Sequence, residues 1–333
     1  MFSKSLKAIL LLLLIFIFAI FCYFFLGPSK PAEKITWGIN FSQKHAQNLG
    51  LDWKETYLAL LGDLGVKNLK IATYWDLIEP KEGEYNFNDL DWQIKEAEKR
   101  EAKIILVIGM KTPRWPECHQ PSWAESQKSK IKSQKLLEYI EKIVNRYKNS
   151  AAIWAWQVEN EPFFSFGECP KLDKELLKRE IDLVKSLDSR PVIISDTGEF
   201  SLWLGAAKLA DIVGVTLYRQ AWFKEINSYI SYPFPAIFYQ RRAELVRGIF
   251  NKKTICVELQ AEPWGQKLLY DLSLAEQEKT MNLEKFQKNI EFARKTGFDT
   301  FYLWGAEWWY WLKDKQNRPE IWNEVKSQIR HTT

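Results

Sequence analysis

Two glutamates that each close an apolar run are the residues of this 333-residue chain best suited to chemistry. Glu161 follows the run Ile153–Val158 and is preceded by Asn160, while Glu258 closes the run 254–257. Short continuous apolar runs are typical of strands that are buried on both faces of a parallel sheet. One carboxylic acid can donate a proton while a second attacks a carbon centre, provided that the fold brings both into one cavity.

The order of segments after residue 34 predicts the fold that would position these acids. Eight segments are typical of strands: Ile35–Phe41, Asn68–Tyr74, Lys103–Gly109, Ala151–Val158, Pro191–Ser195, Ile212–Leu217, Lys253–Glu258 and Thr300–Trp304. Helical patterns separate them: Trp53–Leu64, Asp89–Arg100, Lys132–Tyr147, Lys174–Leu187, Leu202–Leu209, Ala236–Phe250 and Asn282–Thr296. The alternation predicts an α/β fold, a single-domain (β/α)₈ TIM barrel. An open doubly wound sheet favours a glycine-rich turn after the first strand, and residues 40–43 contain no glycine.

A barrel gathers the carboxyl ends of its strands at one mouth, so the residues just past each strand indicate the chemistry. Here they are mainly acids, amides, tyrosines and tryptophans. The three histidines, His45, His119 and His331, form no cluster with cysteines at metal-ligand spacing, so we expect no metal and no cofactor. Two acids among aromatic side chains suit cleavage of a glycosidic bond, which makes an oligo- or polysaccharide the expected partner.

The charge and the N-terminus limit the other partners and the location. A formal net charge of +5 without a basic stripe argues against nucleic acid, and we expect a monomer. Residues 9–26 are uninterruptedly apolar and follow Lys4 and Lys7, which predicts an uncleaved, single-pass signal-anchor of the cell membrane with the catalytic domain outside. The alternative is a secreted protein whose leader is cleaved. The predicted divisions are a cytoplasmic segment 1–7, a transmembrane segment 8–27, a linker 28–34 and a barrel 35–333.

Several motifs together resemble the clan A glycoside hydrolases, whose members include families 5, 39 and 42. The triplet Asn160-Glu161-Pro162 follows one apolar strand, and Glu258 ends a later one. Residues 75–87 resemble the run W-x-x-I-E-P-x-x-G-x-Y-x-F that such enzymes carry after their second strand. The resemblance extends over nearly all of residues 35–311. It implies a (β/α)₈-barrel retaining β-glycosidase of the O-glycosyl hydrolase class.

The resemblance also implies a role for individual residues. Glu161 corresponds to the general acid/base and Glu258 to the nucleophile, with a hydrogen bond from Tyr218. Asn160 would bind the sugar 2-hydroxyl, and Trp304 would form the platform under the sugar. Further substrate contacts are expected from Trp75, Trp115 and Lys70. Family 5 enzymes commonly carry arginine near the nucleophile on the second strand, where this chain has Lys70.

The sequence leaves some alternatives open. Glu262 lies close to Glu258 and is also followed by proline, although Glu258 directly ends the apolar run. Cys118 and Cys169 each lie in a loop after a candidate strand, and a disulfide is possible if those strands are neighbours. A transglycosylase would use the same two acids. A carbohydrate-binding barrel without catalysis is the other alternative, which the presence of both acids disfavours.

Overall fold

The structure, a computed structural model, describes residues 4–171 and 173–330. His331 and the outer ends of the predicted segments 1–7 and 35–333 lie outside these described residues. Eight parallel strands form a closed barrel in the order β1, β10, β9, β6, β5, β4, β3, β2. The ten strands of the described residues are β1 Thr36–Phe41, β2 Asn68–Ala72, β3 Lys103–Ile108, β4 Ile153–Val158, β5 Val192–Asp196, β6 Ile212–Leu217, β7 Gln220–Phe223, β8 Ser228–Ser231, β9 Lys253–Gln260 and β10 Thr300–Trp304.

Helices surround the barrel and connect its strands. In the described residues they are α1 Lys4–Phe25, α2 Gln43–Asn48, α3 Trp53–Gly62, α4 Trp75–Ile78, α5 Asn88–Glu98, α6 Ser122–Glu125, α7 Ser129–Tyr147, α8 Lys174–Leu187, α9 Leu204–Leu209, α10 Ala236–Phe250, α11 Leu274–Gln277, α12 Leu283–Lys295, α13 Ala306–Lys315 and α14 Glu320–Arg330. Several begin at a side chain that caps the first turn, as Asp173 does by accepting the backbone N–H groups of Glu175 and Leu176. The predicted (β/α)₈ barrel is therefore confirmed.

Several features differ from the sequence prediction. Strand β9 continues two residues beyond Glu258, so this glutamate lies within the strand and not at its end. The short strands β7 and β8 pair only with each other as an antiparallel hairpin after β6, and four-residue strands leave no long apolar run to detect. Helices α13 and α14 follow the last barrel strand and were not predicted.

The barrel interior is filled at the end opposite the mouth, by which we mean the edge where the carboxyl ends of the strands meet. A small cluster of apolar side chains packs there: Ile105, Ala155, Ile193, Ile255, Val257 and Tyr302. Gly38 is required in β1 because any Cβ at this position would lie 2.5 Å from the Tyr302 ring. The filled interior leaves the mouth as the place for a site, as in other barrels of this type.

One helix of the described residues, Leu6–Phe25, is long and apolar enough to cross a membrane, judged by length and composition. A signal sequence near the N-terminus would meet the same criteria. The residues of this helix are largely exposed except in its last turn. There Phe25 packs on Phe238 of α10, with ring centroids 5.0 Å apart.

Candidate active site

The backbone after β4 turns sharply where the predicted acid lies. Glu159 and Glu161 have φ angles of 57° and 42°, a left-handed conformation that residues other than glycine rarely adopt. Hydrogen bonds hold this turn: the N–H of Glu161 donates to Ser195 Oγ at 2.8 Å, and the N–H of Asn160 donates to the carbonyl of Lys111 at 2.7 Å. The neighbouring strands β3 and β5 therefore fix the direction in which residues 159–161 leave the barrel.

The Glu161 carboxyl group is buried and close to the negative charge of Glu258. Its Oε1 accepts a hydrogen bond from Thr216 Oγ1 at 2.8 Å. Burial raises the pKa of Glu161 to about 7, and the charge of Glu258 adds to the rise, while the Thr216 hydrogen bond opposes it. Near neutral pH this group can thus both donate and accept a proton.

The Glu258 carboxylate lies on β9 and is held from both sides. Lys70 Nζ on β2 donates to Oε1 at 2.7 Å, and Tyr218 Oη donates to Oε2 at 3.1 Å. The side chains of Lys70 and Glu258 are 1% and 3% exposed, so the ion pair lies in a low-dielectric environment. Thr216, which hydrogen bonds to Glu161, is the register partner of Glu258 between β6 and β9. One threonine therefore links the two glutamates across adjacent strands.

Glu117 is a third buried acid at this site, and the sequence prediction missed it. Asn160 Nδ2 donates to its Oε2 at 3.1 Å. Burial raises the pKa of Glu117 to about 8, and the charge of Glu258 contributes to the rise. Residue 117 has a left-handed φ of 73° next to a half-cystine. No spacing or strand-end pattern in the sequence indicates this position.

Glu159, by contrast, supports the wall of the barrel. Its carboxylate accepts the backbone N–H groups of Met110 at 2.8 Å and Lys111 at 2.6 Å. Burial raises its pKa to about 7, and these two hydrogen bonds oppose the rise. The carboxylate lies where a side chain at Gly109 would project, since a Cβ there would be 2.4 Å from Oε1. Gly109, at φ 124°, is the residue that permits this approach.

Arg114 gives Glu262, in the loop after β9, different surroundings from those of Glu258 on β9. Its guanidinium forms buried ion pairs with Glu262 and, at 2.7 Å, with Glu307. Burial by itself would raise the pKa of Glu262, but the guanidinium holds it at about 2. Glu262 is thus engaged in a structural ion pair, whereas Glu258 faces Lys70, Tyr218 and the charge of Glu161.

The two acids that pair with Arg114 also matter for the prediction that the chain has no metal site. One ligand atom from each of His45, Glu262 and Glu307 lies within 4.8 Å of the others, a spacing that could hold an ion. The Arg114 cation already binds both carboxylates of this group and supplies the positive charge that a metal would provide. The prediction that the chain needs no metal remains a prediction.

The predicted tryptophan contacts differ from one another in position. Trp304 ends β10 and is 5% exposed, and the Arg114 guanidinium covers one face of its ring at 3.9 Å, so that face is not available to a ligand. Trp115 is 45% exposed in the loop after β3. The prediction that Trp75 contacts the substrate is wrong. Its ring is fully buried and stacks on Tyr139 with centroids 5.5 Å apart, so it belongs to the hydrophobic core and offers no face to a sugar. It starts α4, which turns its ring away from the mouth towards α7.

The loops after β3 and β4 are joined covalently. Cys118 and Cys169 form a disulfide, with Cα atoms 5.3 Å apart. The strands that precede these loops are neighbours in the barrel, which is the condition under which the sequence allowed this pairing. Lys111 adds a second connection, since its Nζ donates to the carbonyls of Glu161 and Phe164 at 3.1 and 2.7 Å.

Comparison with known proteins agrees with this architecture. The family model for glycoside hydrolase family 42, described as Beta-galactosidase, matches residues 50–178. Beta-galactosidase BgaA of Clostridium cellulovorans is 26% identical over 43% of this chain and 25% of its own length. The solved structure of GH5_18 from Bifidobacterium longum subsp. longum has a TM-score of 0.60 at 12% identity, covering 90% of this chain and 80% of that one.

A Beta-galactosidase from the haloarchaeon Halorubrum lacusprofundi has a TM-score of 0.54 at 14% identity, covering 81% of this chain and 52% of that chain. This chain thus spans about a quarter of the length of the curated relative and about half of that solved structure. At these identities the solved structures support the barrel fold. Together with the family match, they confirm the resemblance of this chain to the clan A glycoside hydrolases.

Proposed function

We propose that this chain is a retaining glycosidase that cleaves β-linked sugars with Glu161 as general acid/base and Glu258 as nucleophile. The observation that carries the proposal is the different environment of the two acids. Glu161 accepts one hydroxyl hydrogen bond and has its pKa raised to about 7, while Glu258 is ion-paired with Lys70 and hydrogen-bonded to Tyr218. Double displacement needs one carboxyl group that can donate a proton and a second that is positioned to attack the anomeric carbon.

The reaction would proceed in two steps. A Glu258 oxygen bonds to the anomeric carbon as the glycosidic C–O bond breaks, and Glu161 transfers its proton to the departing oxygen. A water molecule then attacks the anomeric carbon of the glycosyl-enzyme. Glu161, now a carboxylate, accepts a proton from that water, and the Glu258–carbon bond breaks. The free sugar keeps its β configuration and both glutamates return to their starting states.

The surrounding residues would stabilise these steps. Asn160 Nδ2 donates one N–H to Glu117, and its second N–H is the group that would bind the sugar 2-hydroxyl. Lys70 and Tyr218 would orient the Glu258 carboxylate for attack. Trp304 would stack its uncovered face on the sugar ring, and Trp115 is suited to contact the substrate outside the pocket.

The proposed setting is the outer face of the membrane. The apolar helix α1 would act as an uncleaved anchor and keep the barrel outside the cell, where a disulfide such as Cys118–Cys169 is stable. β-Galactosides are the first substrates to test, because the family model that matches residues 50–178 is described as a β-galactosidase. Transfer to an acceptor sugar by the same two acids is the second candidate, since the glycosyl-enzyme would be common to both reactions.

The test is the hydrolysis of 4-nitrophenyl β-glycosides by the full chain and by Glu161→Gln and Glu258→Gln. We expect kcat to fall by about three orders of magnitude or more in both variants. Glu96→Gln is the matched control, because Glu96 lies on the outer helix α5 and pairs with Lys99 and Arg100 just after it, and it should keep full activity.

The stereochemistry tests the mechanism separately. Nuclear magnetic resonance of the first-formed sugar should show the β anomer. An α anomer would refute Glu258 as the nucleophile. Undiminished activity in either Gln variant would refute the assignment of the pair. Binding of sugars without hydrolysis of any β-glycoside by the wild-type chain would favour the non-catalytic, carbohydrate-binding alternative.

A further inference from the structure

A line of aromatic rings leads out of the site from Tyr218, and the proposed catalytic roles do not use it. The ring of Tyr218 contacts Trp264 at 5.2 Å between centroids, and Trp264 contacts Phe166 at 5.6 Å. Phe166 stacks on Phe164, and Phe164 on Phe200, at 6.1 Å each. These rings come from the loops after β4, β5, β6 and β9, so they form one continuous surface along the rim of the mouth.

This surface is formed by half-buried rings and is open to solvent at Phe200 and at the neighbouring side chains Leu202 and Trp115. Phe200 is 54% exposed, its neighbour in sequence Leu202 is 49% exposed, and Trp115, which contacts Phe166, is 45% exposed. Contiguous exposed apolar groups beside a binding site indicate that something apolar covers them in function. Phe164, Phe166 and Phe200 carry no group that could hydrogen bond to a sugar hydroxyl, so their rings offer apolar contact alone.

The line continues to the N-terminal helix. Phe200 contacts Tyr232 at 5.5 Å, Tyr232 stacks on Phe234 at 6.4 Å, and Phe234 stacks on Phe238 at 4.6 Å. Phe238, in the first turn of α10, then contacts Phe25 at the end of α1 at 5.0 Å. The first turn of a barrel helix lies at the mouth because the helix runs back against the strand direction. The last turn of α1 therefore meets the barrel at the rim of the site.

We infer that the substrate is a glycolipid, a β-linked sugar whose aglycone is a lipid of the membrane that α1 enters. The sugar would lie between Glu161 and Glu258, and the lipid chain would lie on the rings of Phe164, Phe166 and Phe200, which lead towards α1. Rings along this line would shield the apolar chain from water between the bilayer and the site. This inference rests on the proposed glycosidase function and adds the class of aglycone to it.

The test compares aglycones on one sugar. The full chain in nanodiscs is assayed on methyl and octyl β-glycosides below their micelle concentrations, with the sugar whose 4-nitrophenyl β-glycoside is hydrolysed fastest. We expect kcat/KM to be about tenfold higher for the octyl glycoside than for the methyl glycoside. Burial of only two of the added methylene groups would give this difference. The octyl-to-methyl ratio should fall about tenfold in Phe164→Ala/Phe200→Ala. It should stay unchanged in Ile249→Ala, a control that is 58% exposed in the last turn of α10, away from the mouth.

Each other outcome overturns the inference. Equal kcat/KM for octyl and methyl glycosides, or a ratio that the double variant leaves unchanged, would exclude the aromatic line as a lipid site. A soluble β-linked tetrasaccharide that is hydrolysed more efficiently than the octyl glycoside would identify a polysaccharide aglycone instead. In both cases hydrolysis itself would stand, so the proposed function would survive. Absence of hydrolysis of every β-glycoside would remove the proposed function and this inference together.

Discussion

Thr216→Val should move the alkaline limb of the pH–rate profile to higher pH. Thr216 Oγ1 donates to Glu161 Oε1 at 2.8 Å, and this bond holds the Glu161 pKa lower than burial and the charge of Glu258 would set it. Valine has the shape of threonine but no hydroxyl. A hydrogen bond to a charged group is worth about 1.5–3 kcal/mol and one to a neutral group about 1 kcal/mol. The difference, at about 1.4 kcal/mol per pH unit, raises the pKa of Glu161 by about one unit.

The direction in which the alkaline limb moves follows from the role of the Glu161 proton. In the proposed mechanism Glu161 must carry a proton to protonate the leaving oxygen, so kcat/KM should fall as the pH rises through its pKa, which is about 7 in the wild-type chain. A higher pKa keeps the acid protonated to higher pH, and the limb should move upward by about one unit. The assay is kcat/KM from pH 5 to 10 on a methyl β-glycoside, since a poor leaving group depends on protonation. A limb that stays in place, or moves to lower pH, would refute Glu161 as the acid.

Two companion variants make the measurement specific. Thr216→Ser keeps the hydroxyl and should keep the wild-type profile. Thr254→Val is the same substitution on a barrel strand, at a buried hydroxyl for which the described residues provide no hydrogen-bond partner, and it should leave the limb unmoved. Thr216→Val also removes the acceptor of the Gly198 N–H. A loss of about 1–3 kcal/mol in unfolding free energy is therefore expected, and the assay temperature is chosen from the melting curve.

Two further predictions address the ion pair and the tryptophans. Lys70→Met should lower the free energy of unfolding by about 3–5 kcal/mol, because Glu258 would keep a buried charge without the cation 2.7 Å away. Urea denaturation measures this free energy. Unchanged stability would show that Lys70 and Glu258 do not form a buried ion pair. Trp75→Ala should cost about 3–5 kcal/mol of stability because it empties a core site, whereas Trp115→Ala should leave the melting temperature unchanged and raise KM. The reverse pattern in thermal melts and kinetics would contradict the positions of these two rings.

Local patterns predicted the strands well because each barrel strand is buried on both faces and is therefore largely apolar. The predicted bounds of the strands at 212–217 and 300–304 are those of β6 and β10. Trp75 shows where this reasoning fails. It follows a strand as the site residues do, but the chain enters the short helix α4 at that residue and packs the ring on Tyr139. Whether the side chain of Trp75 packs in the core or faces the mouth depends on the helix α7, which lies more than fifty residues away in the chain.

The amino-acid sequence by itself determined the barrel and singled out Glu161 and Glu258 as candidates, since periodicity and the acids that follow apolar runs are local properties of the chain. Tertiary structure decided what surrounds the pair: the Arg114 ion pair that occupies Glu262, the buried Glu117 beside Asn160, and the aromatic line from Tyr218 to Phe25. These contacts join residues far apart in sequence, 148 positions in the case of Arg114 and Glu262. Their charges and rings interact through space, at distances that only the closed barrel sets.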